Sequence, residues 1–423
     1  MAEHSERDGR ERAVMVGVER PGQHGSLADR LEELTLLADT AGCDTVAVVT
    51  QSRDRPDPKT YIGKGKVEEV KEVLAAHDGE LVIFDTDLSP AQARNLEQAL
   101  GRSVMDRTQL ILAIFARRAS TRLARWEVEL AQLQYELPRF KRMWTHLSRI
   151  DGGGIDSRGP GETQLEVDRR RARERIHLIQ ERLREAERQK EVASRQRQQV
   201  FTVALVGYTN VGKSTLMNAL TGAEVLIEDR LFATLDATTR RLEIDGEELL
   251  LTDTVGFIRD LPHTLVASFH ATLAEVLDAD LLLHVADVTS PELGEQIEAV
   301  KAVLKEIGAE QRPTLMVFNK ADALPPGLSA ARIAERHGGG VVVSAHTREG
   351  LEELMERLLA ALREQHHELV LEIPYSDART TAYLEANAKV LEREFSERGV
   401  RLKALVSPAD AGRLSRYVTE AEG

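Results

Sequence analysis

The chain has 423 residues, enough for about three domains, and its 42% hydrophobic content excludes wholesale disorder. A single cysteine, Cys43, excludes a disulfide framework and a thiolate-only zinc site, and it fits a reducing compartment. The net charge of −14 excludes generic attraction to nucleic acid, so DNA is not an expected partner.

Residues 1–12 are polar and charged, and nowhere does a run of about 18 apolar residues occur. The expectation is a soluble, cytoplasmic, monomeric protein without a secretory signal, with room for peripheral association with membranes. Residues 13–115 alternate β-branched runs (13–18, 45–50, 80–84) with helical patterns (27–41, 67–76, 90–99). That alternation predicts a small α/β domain with a mainly parallel sheet. Within it Tyr61-Ile62-Gly63-Lys64-Gly65-Lys66 opens a helix and could grip a phosphate, a weak signal because glycines commonly just punctuate a loop–helix junction.

Residues 116–199 predict two long helices. Leu123, Trp126, Leu130, Leu133 and Leu137 recur at steps of 3 and 4, as do Ala172, Ile176, Ile179, Leu183 and Ala186. Matching seams across a connection of some 20 residues imply an antiparallel hairpin projecting from the body. This segment holds 20 Lys plus Arg and 13 Asp plus Glu, a net +7 that leaves −21 for the rest of the chain. Its tip, 138–162, carries Arg139, Lys141, Arg142, Trp144, His146 and Arg149 ahead of a glycine-rich stretch. Cations and an aromatic beside flexible glycines suit insertion among RNA phosphates and bases; the alternatives are a disordered loop and a solvated helical face.

The segment Gly207-Tyr208-Thr209-Asn210-Val211-Gly212-Lys213-Ser214 is a G-x-x-x-x-G-K-S phosphate loop, preceded by an apolar strand at 201–206 and followed by a helix from Thr215. Glycines let successive N–H groups point at phosphate oxygens. Lys213 should reach the β- and γ-phosphates, and the Ser214 hydroxyl should ligate Mg²⁺. Asn210 is either a turn residue tolerant of unusual φ/ψ or an oxygen donor that helps hold a monovalent cation such as K⁺.

Next, Phe232-Ala233-Thr234-Leu235-Asp236-Ala237-Thr238-Thr239-Arg240 occupies the place of a switch segment. Chemistry alone leaves Thr234, Thr238 and Thr239 open as the metal-binding threonine. An apolar strand then runs into Asp253-Thr254-Val255-Gly256, where Asp253 can hold Mg²⁺ through a water and the Gly256 N–H can meet the γ-phosphate. Phe257 follows where many related hydrolases place a water-orienting glutamine, so unaided hydrolysis should be slow. The strand at 315–318 leads into Asn319-Lys320-Ala321-Asp322, whose terminal carboxylate accepts from guanine N1–H and N2–H₂. Ser344-Ala345-His346, after a strand at 341–343, would support the base. Together these motifs predict Mg²⁺-dependent conversion of GTP to GDP, with Lys213, Gly256 and one of these three threonines serving the reacting phosphate. The tail reads as strand 368–373, helix 378–398, strand 400–406 and helix 408–417.

The fold expected is α/β: a P-loop GTPase domain (200–365) preceded by a small parallel α/β domain (13–115) with an antiparallel helical hairpin (116–199), and followed by a small α+β C-terminal domain (366–423). Phe232 to Asp236, Asp253 to Phe257 and the tip Gly152-Gly153-Gly154 to Gly159-Pro160-Gly161-Glu162-Thr163-Gln164 resemble the bacterial HflX GTPases of the Obg–HflX group. The resemblance covers nearly the whole chain, and the glycine-rich tip is its most specific part. It implies binding to the large ribosomal subunit and its RNA near the peptidyl-transferase region, dissociation of stalled or stressed ribosomes, and hydrolysis stimulated by ribosomes. It also assigns the metal-binding switch threonine to Thr234. The competing class is a signalling GTPase whose hairpin binds a protein partner; an ATP-driven RNA remodeller is disfavoured by Asp322.

Overall fold

A computed structural model describes residues 10–21, 26–143, 164–197, 200–222, 231–232, 237–259, 265, 270–364, 367–406 and 408–420. The N-terminal unit is a four-stranded parallel sheet of β1 (Glu11–Glu19), β2 (Cys43–Ser52), β3 (Leu81–Phe84) and β4 (Ser103–Asp106), in the order β2-β1-β3-β4. Central strands of a sheet covered on both faces must be apolar throughout. Ala13 to Val16 and all of β3 are accordingly buried. The crossovers are α1 (Leu27–Ala41), α2 (Lys64–Ala76) and α3 (Pro90–Leu100), and α4 (Arg107–Arg118) leaves the end of β4 directly. Ser89 and Asp106 each form a capping box, with Gln92 and Gln109, which fixes where α3 and α4 begin.

The expected hairpin is formed by α5 (Arg122–Met143) and α6 (Gln164–Arg197). Leu130, Ile179 and Leu183 are buried in its seam, with Leu123, Trp126, Leu133 and Ile176 packed against them. Glu129 pairs with Arg175 at 2.6 Å and Trp126 lies under Arg182, so position numbers rise on one helix as they fall on the other and the pair is antiparallel. The arm α5 does not stand clear of the body, as the sequence suggested. It packs along α3 and α4, because the opposite face of the helix carries Ala124, Val128 and Ala131 into the core beneath. The glycine-rich tip lies outside the described residues.

A six-stranded sheet follows, in the order β10-β9-β8-β5-β7-β6: β5 (Phe201–Gly207), β6 (Thr238–Ile244), β7 (Glu247–Asp253), β8 (Leu281–Asp287), β9 (Thr314–Asn319) and β10 (Val341–Val342). Every pairing is parallel except β6 with β7. The helices are α7 (Lys213–Thr221), α8 (His270–Asp278), α9 (Leu293–Glu306), α10 (Ala330–Arg336) and α11 (Leu351–Glu364). Parallel strands deliver all their C-terminal ends to one edge, so the loops after β5, β7, β9 and β10 converge there.

The C-terminal unit departs from expectation. Only Ala378–Asn387 is helical (α12), and Lys389–Phe395 is a strand, β12, antiparallel to β13 (Gly399–Val406). The Leu, Glu and Arg residues of 391–394 favour helix, but the Ser396 hydroxyl accepts from the N–H groups of Arg398 and Gly399 and closes a hairpin turn that recruits the segment to the sheet. Likewise α13 stops at Leu414 (Pro408–Leu414), and a 3₁₀ turn leads into β14 (Val418–Glu420). With β11 (His367–Pro374) these make an antiparallel sheet ordered β12-β13-β11-β14, packed on Leu384 and Leu414.

Candidate nucleotide site

The phosphate loop leaves β5 and enters α7 through Gly212, whose φ of +90° is a left-handed conformation that glycine adopts without penalty. Lys213 is buried, and its Nζ donates to the carbonyls of Gly207 at 3.1 Å and Tyr208 at 2.8 Å. Burial pulls its pKa down to about 8, against the attraction of the Asp253 carboxylate. An ammonium held by two neutral carbonyls of its own loop would gain an anionic partner from a triphosphate.

Ser214 Oγ donates to Asp253 Oδ2 at 2.5 Å, bringing together the two oxygen donors expected at the metal from opposite sides of the cleft. Hard, small oxygen donors of this type fit Mg²⁺. Thr254 is wholly buried and donates to the Leu205 carbonyl at 2.6 Å, so its hydroxyl ties β7 to β5 rather than facing the cleft. Val255 is buried beside it. A Cβ at Gly256 would come within 3.0 Å of Lys213 Nζ and of Thr209 Cα, so only glycine lets this backbone lie against the phosphate loop. Phe257 is 1% exposed: its N–H donates to Gly207 O at 3.0 Å and its carbonyl accepts from Thr209 N at 2.7 Å. The ring is a core anchor, consistent with the expectation that it orients no water.

At the far end of the cleft Asn319 Nδ2 donates to Val211 O at 2.8 Å and Asn319 Oδ1 accepts from Ala345 N at 2.9 Å. One amide thus links the phosphate loop, the Asn-Lys-Ala-Asp loop and the Ser-Ala-His loop. Asp322 is exposed, and its Oδ1 accepts from Ser344 Oγ at 2.6 Å, which aims the carboxylate. Lys320 has φ +65° and pairs with Asp287 at 2.8 Å; Ala321 N donates to Val343 O at 3.2 Å. His346 is exposed.

Of the switch segment, Phe232 is buried, whereas Ala233, Thr234, Leu235 and Asp236 lie outside the described residues. Thr238 and Thr239 are residues of β6, and Thr239 Oγ1 is 2.9 Å from Thr252 Oγ1. Asn210 is exposed with φ +60°, a conformation in which asparagine is favoured among non-glycine residues.

Tyr208 was read as a phosphate-loop residue, but its bonds to Glu33 and Arg259, two residues outside the motifs, escaped the sequence reading. Tyr208 donates its hydroxyl to Glu33 Oε2 at 2.6 Å and accepts from Arg259 N at 2.8 Å. Burial and the Glu33 carboxylate both push that phenol's pKa up, so it remains a donor. Arg259 pairs with Glu292 at 2.6 Å and Glu295 at 3.4 Å. A cavity of about 330 Å³ lies between α1 and the phosphate loop, lined by Asp29, Glu33, Asn210, Glu292 and Lys320 among others. The one available signal was the tyrosine at the loop's second position, a polar group that burial would oblige to find a partner.

The chain is similar to known proteins along most of its length. The family described as GTP-binding GTPase N-terminal matches residues 28–116, GTP-binding GTPase Middle Region matches 118–197, and 50S ribosome-binding GTPase matches 202–320. GTPase HflX of Caldanaerobacter subterraneus subsp. tengcongensis is 44% identical over 97% of this chain and 94% of its own length. GTPase HflX of Escherichia coli (strain K12) is 46% identical over 92% of each. A solved structure of a GTP-binding protein from the archaeon Sulfolobus solfataricus in complex with GDP is 25% identical, covering 83% of this chain and 98% of that one with a TM-score of 0.45. The chain belongs to the HflX family of GTPases.

Proposed function

We propose that this HflX-family GTPase is a Mg²⁺-dependent switch that docks on the large ribosomal subunit through its N-terminal region and hairpin and dissociates stalled or stressed ribosomes. The observation that carries the reading is the match of 202–320 to the 50S ribosome-binding GTPase family in one chain with a net +7 hairpin. Bound Mg²⁺ would neutralise charge on the β- and γ-phosphates, held by Ser214, by Asp253 through water and by Thr234. Lys213 would meet the β- and γ-phosphates, Gly256 N–H the γ-phosphate, and Asp322 the guanine. Asn210 would add an oxygen to a K⁺ site beside the phosphates.

Ser214→Ala should weaken GDP and GTP alike, whereas Thr234→Ala should weaken GTP alone; equal loss of both nucleotides in Thr234→Ala would show the switch threonine to be elsewhere. Co-sedimentation with purified ribosomal subunits in a non-hydrolysable GTP analogue tests the docking. Pelleting with large subunits, and a falling 70S fraction in sucrose gradients when GTP is present, are the expected results. Failure to pellet with either subunit would leave a signalling GTPase with a protein partner.

A further inference from the structure

We infer that α4 is a relay between the nucleotide switches and the hairpin, with Arg107 as the positioning residue at its centre. Three independent contacts meet on this one helix. At its N-cap, wholly buried Asp106 uses Oδ1 to accept from Gln109 N and Oδ2 to accept from Leu88 N at 3.3 Å, Tyr135 Oη at 2.6 Å and the Arg139 guanidinium. Arg139 also donates to Tyr135 Oη at 2.7 Å and lies 4.4 Å over that ring, so the distal part of the hairpin arm is clasped to the start of α4. One residue on, Arg107 pairs with Glu33 and donates to the carbonyl of Arg259 at 3.1 Å, three residues past Gly256. Two turns further, Phe115 meets Phe232 edge to face with centroids 4.6 Å apart, immediately before the segment that holds Thr234.

The helix between these contacts is stiff and confined. Arg107, Thr108, Leu110, Ile111, Leu112, Ile114 and Phe115 are buried, leaving almost no solvent face. Close-packed elements do not stretch to absorb a displacement; they step between discrete arrangements. A γ-phosphate that draws in Gly256 and the switch threonine acts on backbone joined to Arg259 on one side and Phe232 on the other. Both connections bear on α4. The hairpin arm is fastened to the residue adjoining Arg107, so a step of α4 carries the arm with it. By linkage the arm's position must feed back on nucleotide preference by the same factor.

The test uses the full chain without ribosomes and rests on nucleotide binding alone, so it stands apart from the ribosome reading. Tyr135→Phe removes one donor from the clasp, far in sequence from the nucleotide. It should change the ratio of GTP-analogue to GDP affinity at least threefold. Arg107→Gln should shift that ratio in the same direction, and the double variant should shift it no further than the larger single change, as for two residues of one path. Glu129→Gln, which breaks only the pair with Arg175 inside the hairpin, should leave the ratio at the wild-type value. A wild-type ratio in folded Tyr135→Phe and Arg139→Lys overturns the relay. Should either variant fail to fold, amide hydrogen exchange of the wild-type protein decides: protection in 107–118 and 132–139 should differ between the GDP and GTP-analogue states, and identical exchange overturns it.

Discussion

The Tyr208 hydroxyl donates to Glu33 at 2.6 Å, joining the second residue of the phosphate loop to a helix of the N-terminal unit 175 positions earlier. The same oxygen accepts the Arg259 N–H, so loop, switch and N-terminal unit share one buried atom. Tyr208→Phe keeps the ring and deletes only that oxygen. It removes the donor to Glu33 Oε2 and the acceptor of the Arg259 N–H, while Arg107 stays paired with the other carboxylate oxygen, a cost of about 1–3 kcal/mol. The thermal unfolding midpoint of the nucleotide-free chain should fall. Tyr375→Phe, at a residue 54% exposed whose hydroxyl donates to Ser396 O at 2.9 Å, is the comparison and should melt as wild type. Equal midpoints for both variants would show the bridge to be without energetic weight.

Guanine selectivity should rest on Asp322. Its Oδ1 is held by Ser344 Oγ, so the carboxylate is aimed before the base arrives. Asp322→Asn turns a double acceptor into a group with a donor toward guanine, a mismatch of about 1–3 kcal/mol or more. GTP affinity, read by titration calorimetry, should fall at least tenfold. A GTP dissociation constant equal to wild type would remove Asp322 from the base site.

How far these residues could be read in advance follows from distance along the chain. The loops at 207–214, 253–256, 319–322 and 344–346 are local patterns in which phosphate and guanine chemistry dictates residue type at fixed spacing, so each is visible in its own stretch. Tyr208, Arg107 and Arg259 act through partners up to 175 positions away, and nothing in the neighbourhoods of Tyr208 and Arg107 names Glu33. Arg139 shows the same limit: a cation near a basic tip read as a phosphate contact, yet it is paired with buried Asp106. The strand at 389–395 was missed because pairing with β13 overrides helix-favouring composition.

If Asn210 helps hold a monovalent cation, GTP hydrolysis should run faster in K⁺ than in Na⁺ at equal ionic strength. The left-handed φ of +60° makes alanine a poor probe, since backbone strain would accompany loss of the amide. Asn210→Gly keeps the conformation and removes the oxygen, and it should erase the difference between the salts. Equal rates for the wild-type protein in both salts return Asn210 to the turn.

His284 lies buried in β8, where burial chiefly, and then the charges of Lys301 and Lys213, lower its pKa from 6.5 to about 4. The unfolded chain therefore binds a proton between these values that the folded chain refuses. Stability is full above pH 6.5 and falls as the pH drops toward 4, by up to about 3 kcal/mol at 1.36 kcal/mol per unit. His284→Leu should flatten the decline between pH 6.5 and 4 in urea midpoints. A variant slope as steep as wild type would locate the acid sensitivity in other groups.

The clasp changes which cations of the hairpin are available to RNA. Arg139 is occupied with Asp106, so its replacement would loosen the arm rather than delete a phosphate contact, and it should be left in place. Lys141, Arg142 and Arg149 carry the prediction. Neutralising the three together should weaken large-subunit binding and reduce the slope of log affinity against log salt by about one unit per lost contact. Hydrolysis without ribosomes should be unchanged, because no motif of the nucleotide cleft includes these positions. Stimulation by ribosomes should fall with binding if, as proposed, the ribosomal surface orders the switch while Phe257 stays in the core. Ribosome-stimulated turnover of the triple variant against wild type is the deciding measurement. Stimulation at full strength, with an unchanged salt slope, would move docking away from the hairpin and make a protein partner the better account of its charge.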